Sequence, residues 1–215
     1  MGTFIKGVHG GFSGRIGNVI GAAWRGVDYM RSLPRKSNKP ATEAQLKQRL
    51  IIRLVMGFLR PISGLIRIGY QSYKSGKTPL NAATVALIDK AVTGVYPNLN
   101  IDFPHVMFSK GHLLKPMLTG MESVATAKIK FDWLNNTPLY GTSTAATDRA
   151  TLLVYNPVKE EFVTAEDVEV RTGLTFTLTV PANWIGDDVH GWMSFVSASR
   201  REVSDSVYAG VTAVL

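Results

Sequence analysis

The stretch Ala125-Thr-Ala-Lys-Ile-Lys-Phe-Asp-Trp133 decides the fold class. Ala125, Ala127, Ile129, Phe131 and Trp133 alternate with Thr126, Lys128, Lys130 and Asp132, a period of two that sends one set to a buried sheet face and the other to water. Leu174, Phe176, Leu178 and Val180 alternate with threonines in the same way. Further strands are predicted at 105–109, 150–156, 161–164, 190–198 and 207–214, with turns at Asn135-Asn136, Asn156-Pro157, Thr172-Gly173 and Gly186-Asp187. About seven short strands in roughly 115 residues indicate an antiparallel β-sandwich of immunoglobulin or fibronectin type III character. The chain has no cysteine, so a Trp133-centred core must be held by packing alone. Edge strands of such a sandwich offer one route to self-association.

Upstream of the strands the period changes to that of helices, which makes the fold class α+β. Thr42-Glu-Ala-Gln45 has the form of a capping box, with Pro40 just before it. A helix is predicted from Glu43 to about Arg60, where Pro61 ends or kinks it. The pattern resumes over 62–73, and a third helix is predicted over 79–92, with Thr78 as cap, Pro79 in the first turn and Gly94 closing it. Taken as one continuous helix at 100° per residue, Arg49, Arg53, Arg60, Arg67 and Lys74 share a stripe about 60° wide. Such a stripe is compatible with tracking phosphates, with facing acidic residues of this fold or a neighbouring copy, and with a plain solvated face. It lacks interleaved aromatics, so base stacking is not indicated.

Eight of the first 26 residues are glycine, threaded with Phe4, Ile5, Val8, Phe12, Ile16, Val19, Ile20 and Trp24. Glycine at this density loses backbone entropy on ordering, and the large hydrophobes argue against a solvated linker. Such a head becomes ordered when packed on something. Docking on a neighbouring subunit through Phe12, Gly14, Gly17, Gly21 and Trp24 is the favoured reading, and packing on its own chain is the other. No apolar run follows a charged start, so no secretion signal is recognised, and 16–24 is too short to span a membrane. Beyond Trp24 the segment 25–40 reads as extended and basic, with Arg25, Arg31, Arg35 and Lys36 as candidate anion or subunit contacts. The predicted layout is a head at 1–40, a helical region at 41–98 and a sandwich at 99–215.

The formal charge of +8 on 215 residues is unevenly spread. Residues 1–80 carry 14 Lys and Arg against Asp28 and Glu43, a net +12, and the remainder carries −4. One end suits phosphates or an acidic partner, and the two ends of neighbouring copies attract each other. Without cysteine, thiolate zinc sites, iron–sulfur clusters and cysteine nucleophiles are excluded. Ser75-Gly-Lys-Thr78 lacks the upstream glycine of a phosphate-binding loop, since position 71 is glutamine. Asp187-Asp188-x-His190 reads as a turn entering a strand, and His105 and His112 show no partner at informative spacing. The glutamates around 160–169 read as a solvated edge. No catalytic motif, cofactor or small-molecule site is indicated, and the expectation is a chain that is not an enzyme.

Gly10-Gly-Phe-Ser-Gly14, Gly17-Asn-Val-x-Gly21, Trp24-Arg-Gly26, Arg31-Ser-x-Pro34 and Ala44-Gln45-x-x-Gln48-Arg49 resemble a family known as a domain of unknown function in Bacteroidota. Trp184-x-Gly186 and Ser204-Asp-Ser-x-Tyr208 extend that resemblance to the far end of the chain. The head has a looser similarity to phage-encoded, structural-type proteins. The resemblance implies a domain layout and no activity. Three functions are therefore expected, in order. The first is a non-enzymatic structural subunit that self-assembles, such as a virion or phage-like particle component, with its basic part facing nucleic acid or neighbouring subunits. The second is a bacterial nucleic-acid-binding protein whose sandwich binds a partner. The third is a carbohydrate- or protein-binding surface module. The partners expected are further copies of the chain and nucleic acid through the basic third, with no membrane span, and the location is the cytoplasm or a virion.

Overall fold

The structure is a computed structural model that describes residues 2–3, 12–24, 26–35, 38–73, 76–138 and 143–215. The chain forms two compact units, Met1–Thr42 and Glu43–Leu215.

The first unit is a small antiparallel sheet. Its strands are β1 (Gly2–Thr3), β2 (Gly14–Ile16), β3 (Val19–Trp24) and β4 (Val27–Ser32), in the order β1-β4-β3-β2. Ile16 pairs with Val19 and Trp24 with Val27, so both hairpins close over two residues. Gly17 (φ +57°) and Gly26 (φ +80°) supply the left-handed backbone that such tight hairpins demand. The segment 27–32, expected as part of an extended basic arm, is instead the second strand of a hairpin.

The second unit begins with α1 (Glu43–Leu59), α2 (Ser63–Gly69) and α3 (Pro79–Ala91). Thr78 caps α3, its side chain accepting from the Asn81 N–H at 3.2 Å, with Pro79 in the first turn as predicted. Gly94 does not close this helix. It lies at φ +96° in β5 (Val92–Val95), which pairs with β6 (Asn98–Ile101). A Cβ there would sit 2.3 Å from the Asn98 carbonyl oxygen, so the hairpin itself requires the glycine.

The remaining strands are β7 (Met117–Ala125), β8 (Lys128–Leu134), β9 (Arg149–Asn156), β10 (Glu161–Ala165), β11 (Thr175–Thr179), β12 (Asp188–Val196) and β13 (Val207–Ala213). They form two antiparallel sheets, β10-β9-β12-β13 and β11-β8-β7. Their facing sides interlock Ile129, Phe131, Trp133 and Leu178 of the three-stranded sheet with Leu152, Val154, Met193 and Phe195 of the four-stranded one. The fold is therefore an α+β chain built on a β-sandwich. The alternation at 125–133 splits in two, because Ala127 takes φ +55° in the β7–β8 turn and the strand proper starts at Lys128. The predicted strand at 105–109 is not formed; Phe103–His105 is a short 3-10 turn, and the chain beyond it runs irregularly.

Both faces of the four-stranded sheet are covered. Along β12, Val189, Met193 and Phe195 enter the sandwich, whereas Trp192 faces the helices together with Leu153 of β9. Phe58 of α1 meets Tyr155 and Phe162 edge-on, with ring centroids 5.1 and 5.0 Å apart. The buried face of α1 is Ile51, Val55, Phe58 and Leu59, the i, i+4, i+7, i+8 spacing of a helix on a core. Leu46 and Ile52, by contrast, are exposed. The helices are thus a third layer over the sandwich.

One motif shared with the family resemblance has a clear structural task. In Ser204-Asp-Ser206, the Ser206 hydroxyl accepts from the Phe108 N–H at 3.1 Å. The Ser204 carbonyl accepts from the Ser109 hydroxyl at 2.7 Å, and the Asp205 carboxylate accepts from the Gly111 N–H at 3.1 Å. These bonds stitch the irregular segment between helices and sandwich into place. It also packs so closely on α2 that a Cβ at Gly69 would lie 2.4 Å from the Phe108 oxygen.

Candidate interfaces on the head sheet and the basic helix

Two surfaces carry the predicted contact residues, one on each unit. In the head, pairing puts Arg15, Ile20 and Arg31 side by side across β2, β3 and β4, on the face that also bears Tyr29, Trp24 and Val27. The opposite face carries Ile16, Val19, Gly21 and Met30. Gly21 is buried beneath Phe12: a Cβ at this position would sit 2.5 Å from the Phe12 ring and from its carbonyl oxygen. Gly14 takes φ +113° at the start of β2, a conformation open to glycine alone. The Gly17–Gly21 spacing therefore serves a hairpin turn and a close ring contact, not a helix crossing.

Large apolar side chains on this sheet stay in water. Ile16 is 63% exposed, Val27 51% and Trp24 49%. Among the described residues of the first unit, Gly21 alone is buried. Arg31 and Arg35 are exposed, and Arg25 and Lys36 lie outside the described residues. Arg15 was not singled out by sequence reasoning. Only strand register, which brings it onto the face of Arg31, reveals it.

On the second unit the predicted five-cation stripe is broken. α1 ends at Leu59, a turn carries the chain through Pro61, and α2 starts a new axis at Ser63, so the phase of the first helix does not extend to Arg67. Lys74 lies outside the described residues. Arg49, Arg53 and Arg60 do gather. With Ile52, Met56 and Gly57 they line a shallow concavity of about 470 Å³. A second hollow of about 410 Å³ shares Arg53 and Gly57 and continues over Leu50, Leu54, Tyr155 and Phe162 to Glu160. Arg49, Arg53, Arg60 and Arg67 are all exposed, and among the described residues none has a carboxylate within ion-pair distance.

The carboxylates of the sandwich are differently placed. Glu122 and Asp132 both hold Lys130, Asp187 holds Lys159 at 2.7 Å, and Asp167 pairs with Arg200. Glu161 accepts from the Trp184 indole N–H, and Glu169 from the Val170 N–H. In the stretch read as a solvated acidic edge, Glu161, Asp167 and Glu169 are thus bonded within the fold, whereas Glu160 and Glu166 are exposed as expected.

Asp148 and Arg171 form a buried ion pair at 3.2 Å, both side chains almost wholly shielded from water. The guanidinium also donates to the Asn136 side chain and the Leu114 carbonyl, and it stacks 3.8 Å over the Phe195 ring. The Arg171 carbonyl in turn accepts from the Trp133 indole N–H at 2.9 Å. The tryptophan-centred core is thus tied by an ionic cluster as well as by apolar packing. Neither Asp148 nor Arg171 carried a signal in the sequence.

Two of the four histidines, His105 and His190, find partners. His105 shares a hydrogen bond of 2.7 Å with Asp102, a pairing the sequence reading had not recognised. His190 Nδ1 lies 2.7 Å from the Tyr208 hydroxyl, and its ring stacks on Phe103. Burial pushes the His190 pKa below its ordinary value, and the nearby Asp188 charge opposes that less strongly. The Asp187 carboxyl is held low chiefly by its hydrogen bond from Lys159 and next by that from Asn156. Asp187 and His190 are therefore engaged in separate structural bonds. Among the described residues, no three His, Asp or Glu side chains are grouped to hold one metal ion, and no helix is long and apolar enough to cross a membrane.

No curated protein matches the chain. Among solved structures, the solution structures of the fn3 domain of human collagen alpha-1(XX) chain are similar at 19% identity and a TM-score of 0.33. That match covers 50% of this chain and 90% of the collagen domain. Residues 11–210, from the glycine-rich head to the last strand of the sandwich, match the family described as "Family of unknown function (DUF6266)", and the chain belongs to that family.

Proposed function

We propose that the protein is a non-enzymatic structural subunit that assembles with copies of itself through its head. The observation that carries this reading is how little the described residues of the first unit bury. A unit of about 40 residues without a disulfide does not usually bury enough apolar surface to be stable alone. Here Ile16 and Val27 are more than half exposed and Trp24 nearly half, and Gly21 is the single buried residue among those described in this unit. Cover from neighbouring copies would bury those side chains at about 25 cal/mol per Å². Among the described residues β2 is an edge strand, and such an edge offers backbone groups that a neighbour's strand can meet. A virion or phage-like particle is the setting this reading favours.

Light scattering on the full chain is expected to show species much larger than 23.5 kDa. Removing residues 1–42 should convert them to monomers that keep a cooperative melt. A full-length chain that stays monomeric at every concentration tested would sink the proposal.

A second reading, binding of nucleic acid through the basic third, is favoured by one observation. The arginines of α1 have no carboxylate partner among the described residues, whereas five acids of the sandwich, Glu122, Asp132, Asp148, Asp167 and Asp187, hold a lysine or arginine of their own.

A further inference from the structure

Gly57 has no reason for being glycine within its own fold. It lies inside α1 with helical backbone, and a Cβ added there would meet nothing within 4 Å. A glycine in a helix interior costs about 1 kcal/mol relative to alanine. The close approaches at Gly21, Gly69 and Gly94 account for those glycines, and no such contact accounts for this one. What its missing side chain does is open the helix surface between the two shallow hollows, both of which it lines.

The surroundings of this notch say what approaches it. Arg53 lies one turn before Gly57, Arg49 one turn before that, and Arg60 just after the helix end, giving axial steps of about 6 Å and about 10 Å. Arg60 suits the negative end of the helix dipole, a reason for its charge that the mid-helix Arg49 and Arg53 do not share. A neighbouring copy is a poor match for three such cations, because most carboxylates of the sandwich are already bonded within their own fold. Ile52 and Met56 beside them carry no ring, and the rings of the second hollow, Tyr155 and Phe162, are half-buried and packed edge-on against Phe58, so they are poorly placed to stack a splayed base. A polyanion recognised through its backbone fits these conditions.

We infer that the Gly57 face of α1 seats the phosphodiester backbone of duplex nucleic acid, Arg49, Arg53 and Arg60 each neutralising a phosphate while the backbone ridge enters the notch at Gly57. This rests on the second reading above and names its seat and its ligand chemistry. Recognition of this kind is indifferent to base sequence.

The test uses the full chain and a short fluorescein-labelled DNA duplex, followed by anisotropy as salt is raised. Replacing Arg49, Arg53 and Arg60 together by glutamine, a good helix former, should flatten the slope of log K against log salt by about 2.7, from roughly 0.9 per phosphate lost. Gly57→Ala should raise Tm while weakening binding, and Gly57→Leu should weaken it about tenfold or more by filling the notch. Opposite movement of stability and affinity in one variant separates a ligand seat from a folding role. If the wild-type chain does not bind the duplex, both this inference and the nucleic-acid reading fall. If it binds and the triple glutamine variant keeps its slope, only the inference falls. Polyglutamate competing as well as DNA would overturn it in favour of an acidic protein partner. Retention on anionic vesicles without duplex binding would overturn it in favour of a membrane surface.

Discussion

At the scale of single residues, the cluster at Arg171 and the contact at Gly21 make separable claims about the two units. Removing the arginine leaves Asp148 buried without its partner, and breaking such a pair costs about 3–5 kcal/mol. Arg171→Met should therefore lower the urea midpoint sharply, with the slope of the transition unchanged. Replacing both members by apolar residues of similar volume should recover much of that loss. Gly21→Val would drive its side chain into the Phe12 ring and carbonyl. Its expected effect is loss of large species in light scattering, with the melt of the sandwich unit unmoved. His190 supplies a pH dependence. Its folded pKa is depressed, so its contribution to stability is complete above the unfolded value, about 6.5, and is lost as pH falls through that value toward the folded one. Comparing Tm at about pH 7.5 and 5.5 should show a fall that is smaller in His190→Gln, and equal falls in both would refute that role.

At the scale of elements, α1 shows how far periodicity carries. Thr42, Glu43 and Pro61 predicted its span closely, because caps and breakers act within a turn or two of the chain. Its buried face was not so readable. Leu46 and Ile52 look as apolar as Ile51 and Val55, yet only the latter pair meet a core. The same limit broke the five-cation stripe, since helical phase survives only while one axis continues. Phe58 is the element's main anchor, its ring edge-on to Tyr155 and Phe162. Phe58→Ala should cost about 3–5 kcal/mol and expose the outer sheet face, which dye binding would register. Thr78→Ala removes the cap of α3 and should cost about 1 kcal/mol without affecting assembly, both measurable on one sample.

At the scale of the whole molecule, the sandwich was expected to bury one side of each sheet, and the four-stranded sheet buries both. β9 and β12 are nearly continuous runs of buried residues, and their apolar stretches, Leu152-Leu-Val154 and Trp192-Met-Ser-Phe195, are the trace of a second layer in the sequence. Residues 43–215 should accordingly unfold as one cooperative unit, the helices melting with the sandwich because they share the core around Phe58, Leu153 and Trp192. Separate helix and sandwich transitions in calorimetry of the truncated chain would contradict that coupling.

The sequence by itself determined the local rules of this protein. Helix caps, strand alternation and the +12 to −4 charge division all depend on near neighbours or on simple counting. It also carried the family resemblance from head to last strand. Tertiary structure alone decided which apolar faces meet, that Arg171 lies buried against Asp148, that Arg15 joins Arg31 across the head sheet, and that the α1 arginines surround an open glycine. The first three depend on residues far apart in the chain, brought together by strand register and layer packing, whereas the arginines around Gly57 share one short window, and what tertiary structure decided there is which face of the helix stays uncovered.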